Sequence, residues 1–119
     1  MTPLGTRRKR VQPLNHSEFH ILLALSDDER HGYGIMQEVE QSSRGAVKLG
    51  PGTLYGTLNR LVDDGLVVET TDRVDRAEDE RRRYYELSAN GRSVALVELA
   101  RLQTLVDRVT RTLGGGAIA

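Results

Sequence analysis

The stretch Pro51-Gly52-Thr53-Leu54-Tyr55-Gly56-Thr57-Leu58-Asn59-Arg60-Leu61-Val62-Asp63-Asp64-Gly65 decides the fold. Pro51 suits a first helical turn, where a backbone N–H would have no partner anyway. Leu54, Leu58, Leu61 and Val62 follow at spacings of four, three and one, which gathers them on one face of an α-helix. Gly65 then stops the helix as a left-handed cap. The opposite face carries Gly52, Thr53, Gly56, Thr57 and Arg60, all small, polar or cationic. Such a face lets the helix come close to another surface, which is unusual for a plain solvated face.

Working towards the N-terminus, two shorter helices are predicted. One covers about residues 15–26, burying Phe19, Leu22, Leu23 and Leu25, with Asn15 or Ser17 free to cap its open N–H groups. Residues 27–31 form a polar break. The second covers about residues 32–41 and buries Tyr33, Ile35, Met36 and Val39, until Ser42, Ser43, Arg44 and Gly45 end it. Residues 1–13 are basic, contain Pro3 and Pro13, lack periodicity and read as a mobile arm.

Working towards the C-terminus, residues 66–71 have the β-branched content of a strand. Residues 83–87 form another, with Tyr84 and Tyr85 on opposite faces. The charged stretch between them, residues 72–82, reads as a long solvated hairpin tip. Ser88 opens the longest helix, which runs to about Leu113. Its Ala95, Leu99, Leu102, Val106, Val109 and Leu113 alternate spacings of four and three, a heptad seam. Val94, Leu96, Val97 and Leu105 widen this apolar surface beyond what three short helices and a hairpin can cover, so self-association is expected. Gly114, Gly115 and Gly116 begin a flexible tail. The order helix, helix, helix, hairpin, long helix predicts a mainly α winged helix-turn-helix (residues 14–88) with a C-terminal dimerisation helix (residues 89–113).

Composition narrows the function. A chain of 119 residues supports one domain of ordinary size. Lacking cysteine, it has no disulfide, thiolate zinc site, iron–sulfur cluster or cysteine nucleophile. No apolar run approaches the roughly 20 residues that span a bilayer, and a cytoplasmic location is expected. Lys+Arg and Asp+Glu both number 17, so the net charge is zero, yet only Lys9 and Lys48 are lysine. The other cations are arginines, whose planar forks match phosphates and guanine edges. They cluster at Arg7, Arg8 and Arg10 beside Lys9, and again at Arg81, Arg82 and Arg83.

Catalysis is not expected. The chain has no Gly-rich phosphate loop with lysine and no histidine-linked nucleophile, and no paired carboxylate sits in an isolated apolar context. His16 and His20 stand one helical turn apart, a spacing that binds metals. They lack a third ligand nearby, since Glu18 points elsewhere on a helix, so they read as a surface pair. Neither a metal nor any other cofactor is expected.

Four segments in order resemble the PadR family of bacterial transcriptional regulators. They are His31-Gly32-Tyr33-Gly34-Ile35; Pro51-Gly52-Thr53-Leu54-Tyr55 with Leu58 and Leu61; Gly65-Leu66-Val67; and Arg82-Arg83-Tyr84-Tyr85-Glu86-Leu87-Ser88 followed by Gly91-Arg92. Together they cover about residues 19–113, and the short single C-terminal helix is similar to that of the smaller subgroup. The resemblance implies a homodimer on a two-fold double-stranded DNA operator that represses a nearby promoter, with release of DNA by a small-molecule effector in many members. Residues 72–82 are longer and more acidic than a typical family wing. The chain also has no tryptophan, and residues 89–113 have no aromatic residue, so ligand stacking between rings of this helix is not supported.

In such a fold the third helix enters the major groove. Gly52, Thr53, Gly56 and Thr57 then allow close approach and hydroxyl contacts, while Arg60 reaches a phosphate or a guanine edge. Tyr55 flanks the groove with its hydroxyl on a phosphate. Tyr33, at the open N-terminus of the second helix, either meets a phosphate or fills the core. Lys48 is a backbone contact. Arg82 and Arg83 neutralise phosphates or enter a minor groove, unless they pair with Glu78, Asp79 and Glu80 on the same hairpin. The alternative from another class is a protein-interaction module that uses the same scaffold without specific DNA binding, an idea the neutral charge and acidic hairpin keep open.

Overall fold

The computed structural model describes residues 13–70, 74–75, 80–81 and 83–114, with residues 74–75 and 80–81 described as backbone only. Most of the expected basic arm, Arg82, much of the hairpin tip and the tail beyond Gly114 lie outside the described residues.

Helix α1 spans His16–Ala24 and begins with a reciprocal cap. The Asn15 side chain accepts the Glu18 N–H at 2.8 Å, and the Glu18 carboxylate accepts the Asn15 N–H at 2.9 Å. Strand β1, Arg30–His31, leads directly into α2, Gly32–Ser42. His31 caps α2 by accepting the Gly34 N–H at Nδ1, 3.1 Å away. Helix α3 spans Pro51–Asp63, with Pro51 in its first turn. It closes as expected: Gly65 has φ +78°, its N–H donates to the Val62 carbonyl, and the Leu66 N–H donates to that of Leu61.

Strands β2 (Val67–Thr70) and β5 (Tyr84–Leu87) form an antiparallel ladder running from Val67 opposite Leu87 to Thr70 opposite Tyr84. Between them, β3 (Val74–Asp75) and β4 (Glu80–Arg81) pair as a separate short ladder. The sheet has a third member that the sequence does not announce. Within the stretch expected to be a polar break, Arg30 and His31 of β1 pair with Tyr85 and Tyr84 on the free edge of β5, giving the order β1-β5-β2.

Helix α4, Ala89–Leu113, is fastened to the body at its first turn. The Ser88 hydroxyl accepts the Gly91 N–H at 2.9 Å and donates to the Gly65 carbonyl at 2.7 Å. The Ser88 N–H donates to the Leu66 carbonyl at 3.0 Å. Ile21, Leu22, Ile35, Val39, Leu54, Leu58, Leu61, Leu66 and Tyr85 are fully buried and join α1, α2, α3 and the sheet in one core. The result is a mainly α winged helix-turn-helix with a long C-terminal helix.

Three expected placements are corrected. Tyr33 is 59% exposed rather than buried, because the first turn of α2 turns it outward. Thr57 is only 2% exposed rather than outward-facing. At about 100° per residue it stands roughly 60° from Leu54, still on the flank of the apolar face. Ala95, the first position of the expected seam, is 7% exposed and packs into the core of its own chain. The remaining seam positions Leu99, Val106, Val109 and Leu113 are exposed, and Leu102 is half-buried.

Candidate nucleic-acid interface

The outward face of α3 is low and open. Gly52, Thr53, Gly56 and Arg60 are exposed, and a Cβ built on Gly52 or Gly56 would meet nothing within 4 Å. Packing among the described residues therefore does not require glycine at these positions; their effect is to keep the helix face flat. Between this face and the start of α1 lies a shallow groove lined by Asn15, His16, Ser17, Gly52, Thr53, Gly56, Thr57 and Arg60. The buried Thr57 lies at its floor, and its Oγ1 accepts from Nη2 of Arg60 at 3.4 Å. Arg60 Nε also stands 3.9 Å from Oε2 of Glu18, so the α1 cap and the α3 cation are linked.

A second hollow lies where the N-terminus of α2, the first turns of α3 and the start of β5 converge. His31, Gly32, Tyr33, Tyr55 and Arg83 line it. Tyr33 and Tyr55 are 59% and 41% exposed there. Tyr55 lies against Gly32 so closely that a side chain at position 32 would collide with its hydroxyl. The ring of Tyr84 meets that of His31 edge-on at 5.5 Å, which ties the α2 cap to the sheet. Arg83 Nε lies 3.3 Å from Oε2 of Glu69 on β2, while the side chains of Glu78, Asp79 and Glu80 lie outside the described residues. Burial raises the Tyr85 phenol above its ordinary range, the Glu69 carboxylate adds to this, and a hydrogen bond with Arg83 opposes it.

The structure thus gathers the sequence-derived candidates into two neighbouring sets. One holds Gly52, Thr53, Gly56, Thr57 and Arg60; the other holds Tyr33, Tyr55 and Arg83. Lys48 lines neither hollow and stands 3.9 Å from Glu40, while Arg82 lies outside the described residues. Sequence reasoning missed the part that Asn15, His16 and Ser17 play in the first groove. The Asn15–Glu18 pattern does signal a helix start, but nothing local says which helix that start abuts.

His16 and His20 meet edge-on at 4.7 Å. Burial lowers the His20 imidazole below its ordinary value, and His16 lowers it further. Among the described residues no group of three or more His, Cys, Asp or Glu side chains could hold a metal, and no helix is long and apolar enough to cross a membrane.

This architecture, with an open third helix beside a β-hairpin wing, defines a winged helix-turn-helix protein. The family profile described as Transcriptional regulator PadR-like family matches residues 21–96, and the chain belongs to that family. The transcriptional regulator Rv3488 of Mycobacterium tuberculosis is 42% identical over 96 residues, covering 81% of each chain. Among solved structures, a PadR family transcription regulator from Clostridium difficile superposes with a TM-score of 0.69 at 20% identity, over 83% of this chain and 98% of that one. Bacillus subtilis PadR, solved in complex with operator DNA, superposes with a TM-score of 0.63 at 21% identity, over 73% of this chain and 48% of that one. These two share the fold with this chain. By its family, the protein is a transcriptional regulator.

Proposed function

We propose that this chain is a sequence-specific DNA-binding repressor that acts as a homodimer and responds to a small-molecule effector. The observation that carries the DNA reading is the α3 face, where two glycines unneeded for packing sit beside Arg60, next to the Tyr33–Tyr55–Arg83 hollow. A flat face with a guanidinium at its edge fits a major groove, and the first turn of α2, with two exposed tyrosines beside it, fits the flanking phosphate strand. Lys48 and Arg82 extend the same backbone contacts. Bacillus subtilis PadR, which has this fold and was solved in complex with operator DNA, supports DNA as the partner.

The homodimer reading rests on α4. Leu99, Leu105, Val106, Val109 and Leu113 are exposed on a helix whose opening turns are already committed to the chain's own core. A second copy paired along this helix removes that apolar area from water and sets two α3 helices to face half-sites about 10 base pairs, or a multiple, apart. An effector that alters the angle between paired α4 helices changes that spacing.

Replacing Arg60, Arg82 and Arg83 together with alanine tests the proposal. Operator binding is expected to fall at least a hundredfold while the oligomeric state is unchanged. Unchanged DNA binding, or a wild-type protein that captures a protein partner and no DNA, would instead favour the interaction-module reading.

A further inference from the structure

Both arginines described at the proposed DNA face are already paired with carboxylates of their own chain. Arg60 Nε stands 3.9 Å from Glu18, and Arg83 Nε stands 3.3 Å from Glu69. In each pair the carboxylate is the more enclosed partner. The Glu18 side chain is 6% exposed against 56% for Arg60, and that of Glu69 is 25% exposed against 63% for Arg83. Glu18 is further fixed by its hydrogen bond from the Asn15 N–H, and Arg60 by its bond to Thr57.

Pairing of this kind treats two kinds of DNA contact differently. Attraction to phosphate is Coulombic, acts at every sequence and is weakened when a neighbouring carboxylate cancels the arginine's charge. A guanine edge is neutral and gains from directed N–H donors, and a guanidinium has five of them, only some of which face its carboxylate. A fixed partner also removes rotamer freedom before DNA arrives, so less is lost on docking. The zero net charge of the whole chain acts in the same direction.

We propose that Glu18 and Glu69 are positioning residues for sequence discrimination: they hold Arg60 for a base edge of the major groove and Arg83 for entry into the minor groove, and suppress sequence-blind attraction to phosphate. This rests on the DNA-binding reading above. Glutamine at either position keeps the length and the acceptor oxygen while removing the charge, and it suits the α1 cap as well as glutamate does.

The experiment compares wild-type protein with Glu18→Gln and Glu69→Gln. Each binds its operator, obtained by selection from a random duplex library, and an unrelated duplex across a salt series. Each glutamine variant is expected to bind unrelated DNA roughly three- to tenfold tighter, with a salt slope steeper by about 0.9. The operator-to-unrelated ratio falls correspondingly. In Arg60→Ala and Arg83→Ala backgrounds the matching glutamine change has no such effect. Unchanged slopes and ratios, or effects that persist without the arginine, would overturn the inference and leave the glutamates a purely structural role. Should Glu18→Gln not fold, the more exposed Glu69–Arg83 pair decides by the same measurements. A wild type with no preference for any duplex would overturn the DNA reading itself, and this inference with it.

Discussion

The Tyr55 hydroxyl fills the space that a side chain on residue 32 would need, so glycine at 32 lets the Tyr55 ring of α3 lie against the first turn of α2. Gly32 is buried and sits directly after His31, the residue that caps α2. Gly32→Ala is therefore expected to displace the half-exposed Tyr55 ring at a cost to the fold of about 1 kcal/mol or less, because a side-chain tip can swing aside. DNA binding falls with it. Adding Tyr55→Ala relieves the collision and recovers stability without recovering binding. Denaturant unfolding and DNA titration of the single and double variants check both halves.

Gly91 and Ser88 make the joint between the long helix and the body. A Cβ on Gly91 would run into the backbone carbonyl of Leu66, which cannot swing aside as a side-chain tip does. Gly91→Ala is expected to cost more than about 3 kcal/mol, because the backbone itself must shift. Ser88→Ala removes the α4 cap and the bond to the Gly65 carbonyl, and should cost about 1–2 kcal/mol. Thermal unfolding of the two variants, with Gly91→Ala the lower, checks the order.

His20 gives the fold an acid sensitivity. Its folded value lies below the ordinary 6.5, mainly through burial and then through His16. The unfolded chain therefore binds the proton more readily, and stability rises with pH across this window. The loss begins as pH falls below 6.5 and is complete once pH passes the lower folded value. His20→Gln is expected to flatten the stability profile between pH 7 and pH 5, as read by urea midpoints at each pH.

Helix α3 and its cap were legible in the sequence because every signal there is local: Pro51 at the start, leucines at helical spacing, Gly65 at φ +78°. Strand β1 was not. Two residues, Arg30 and His31, form no pattern, and only the free edge of β5 makes them a strand. The burial of Thr57 has a local signal, since it lies three residues after Leu54 and four before Leu61. Ala95 belongs to the heptad seam by spacing, but the body of the same chain covers it first. The pairings of Arg60 with Glu18 and Arg83 with Glu69 span 42 and 14 residues, and such contacts appear only once the chain is folded.

The exposed part of α4 offers a test of assembly independent of DNA. Val106 and Val109 are 55% and 42% exposed, so charges there cost the monomer little. Val106→Glu with Val109→Glu is expected to convert a dimer to a monomer of unchanged helix content, seen by sedimentation and circular dichroism. Operator affinity drops with it, because two half-sites are no longer engaged together. Wild-type protein that sediments as a monomer at micromolar concentration would contradict the dimer.

The central claim, that the α3 face reads DNA sequence, is tested most directly by titrating purified protein with duplexes from around its own gene, across a salt series and with competitor DNA. Saturable binding to one fragment that resists competitor and weakens steadily as salt rises is expected. Binding that is equal on every fragment, or absent even at low salt, would contradict it.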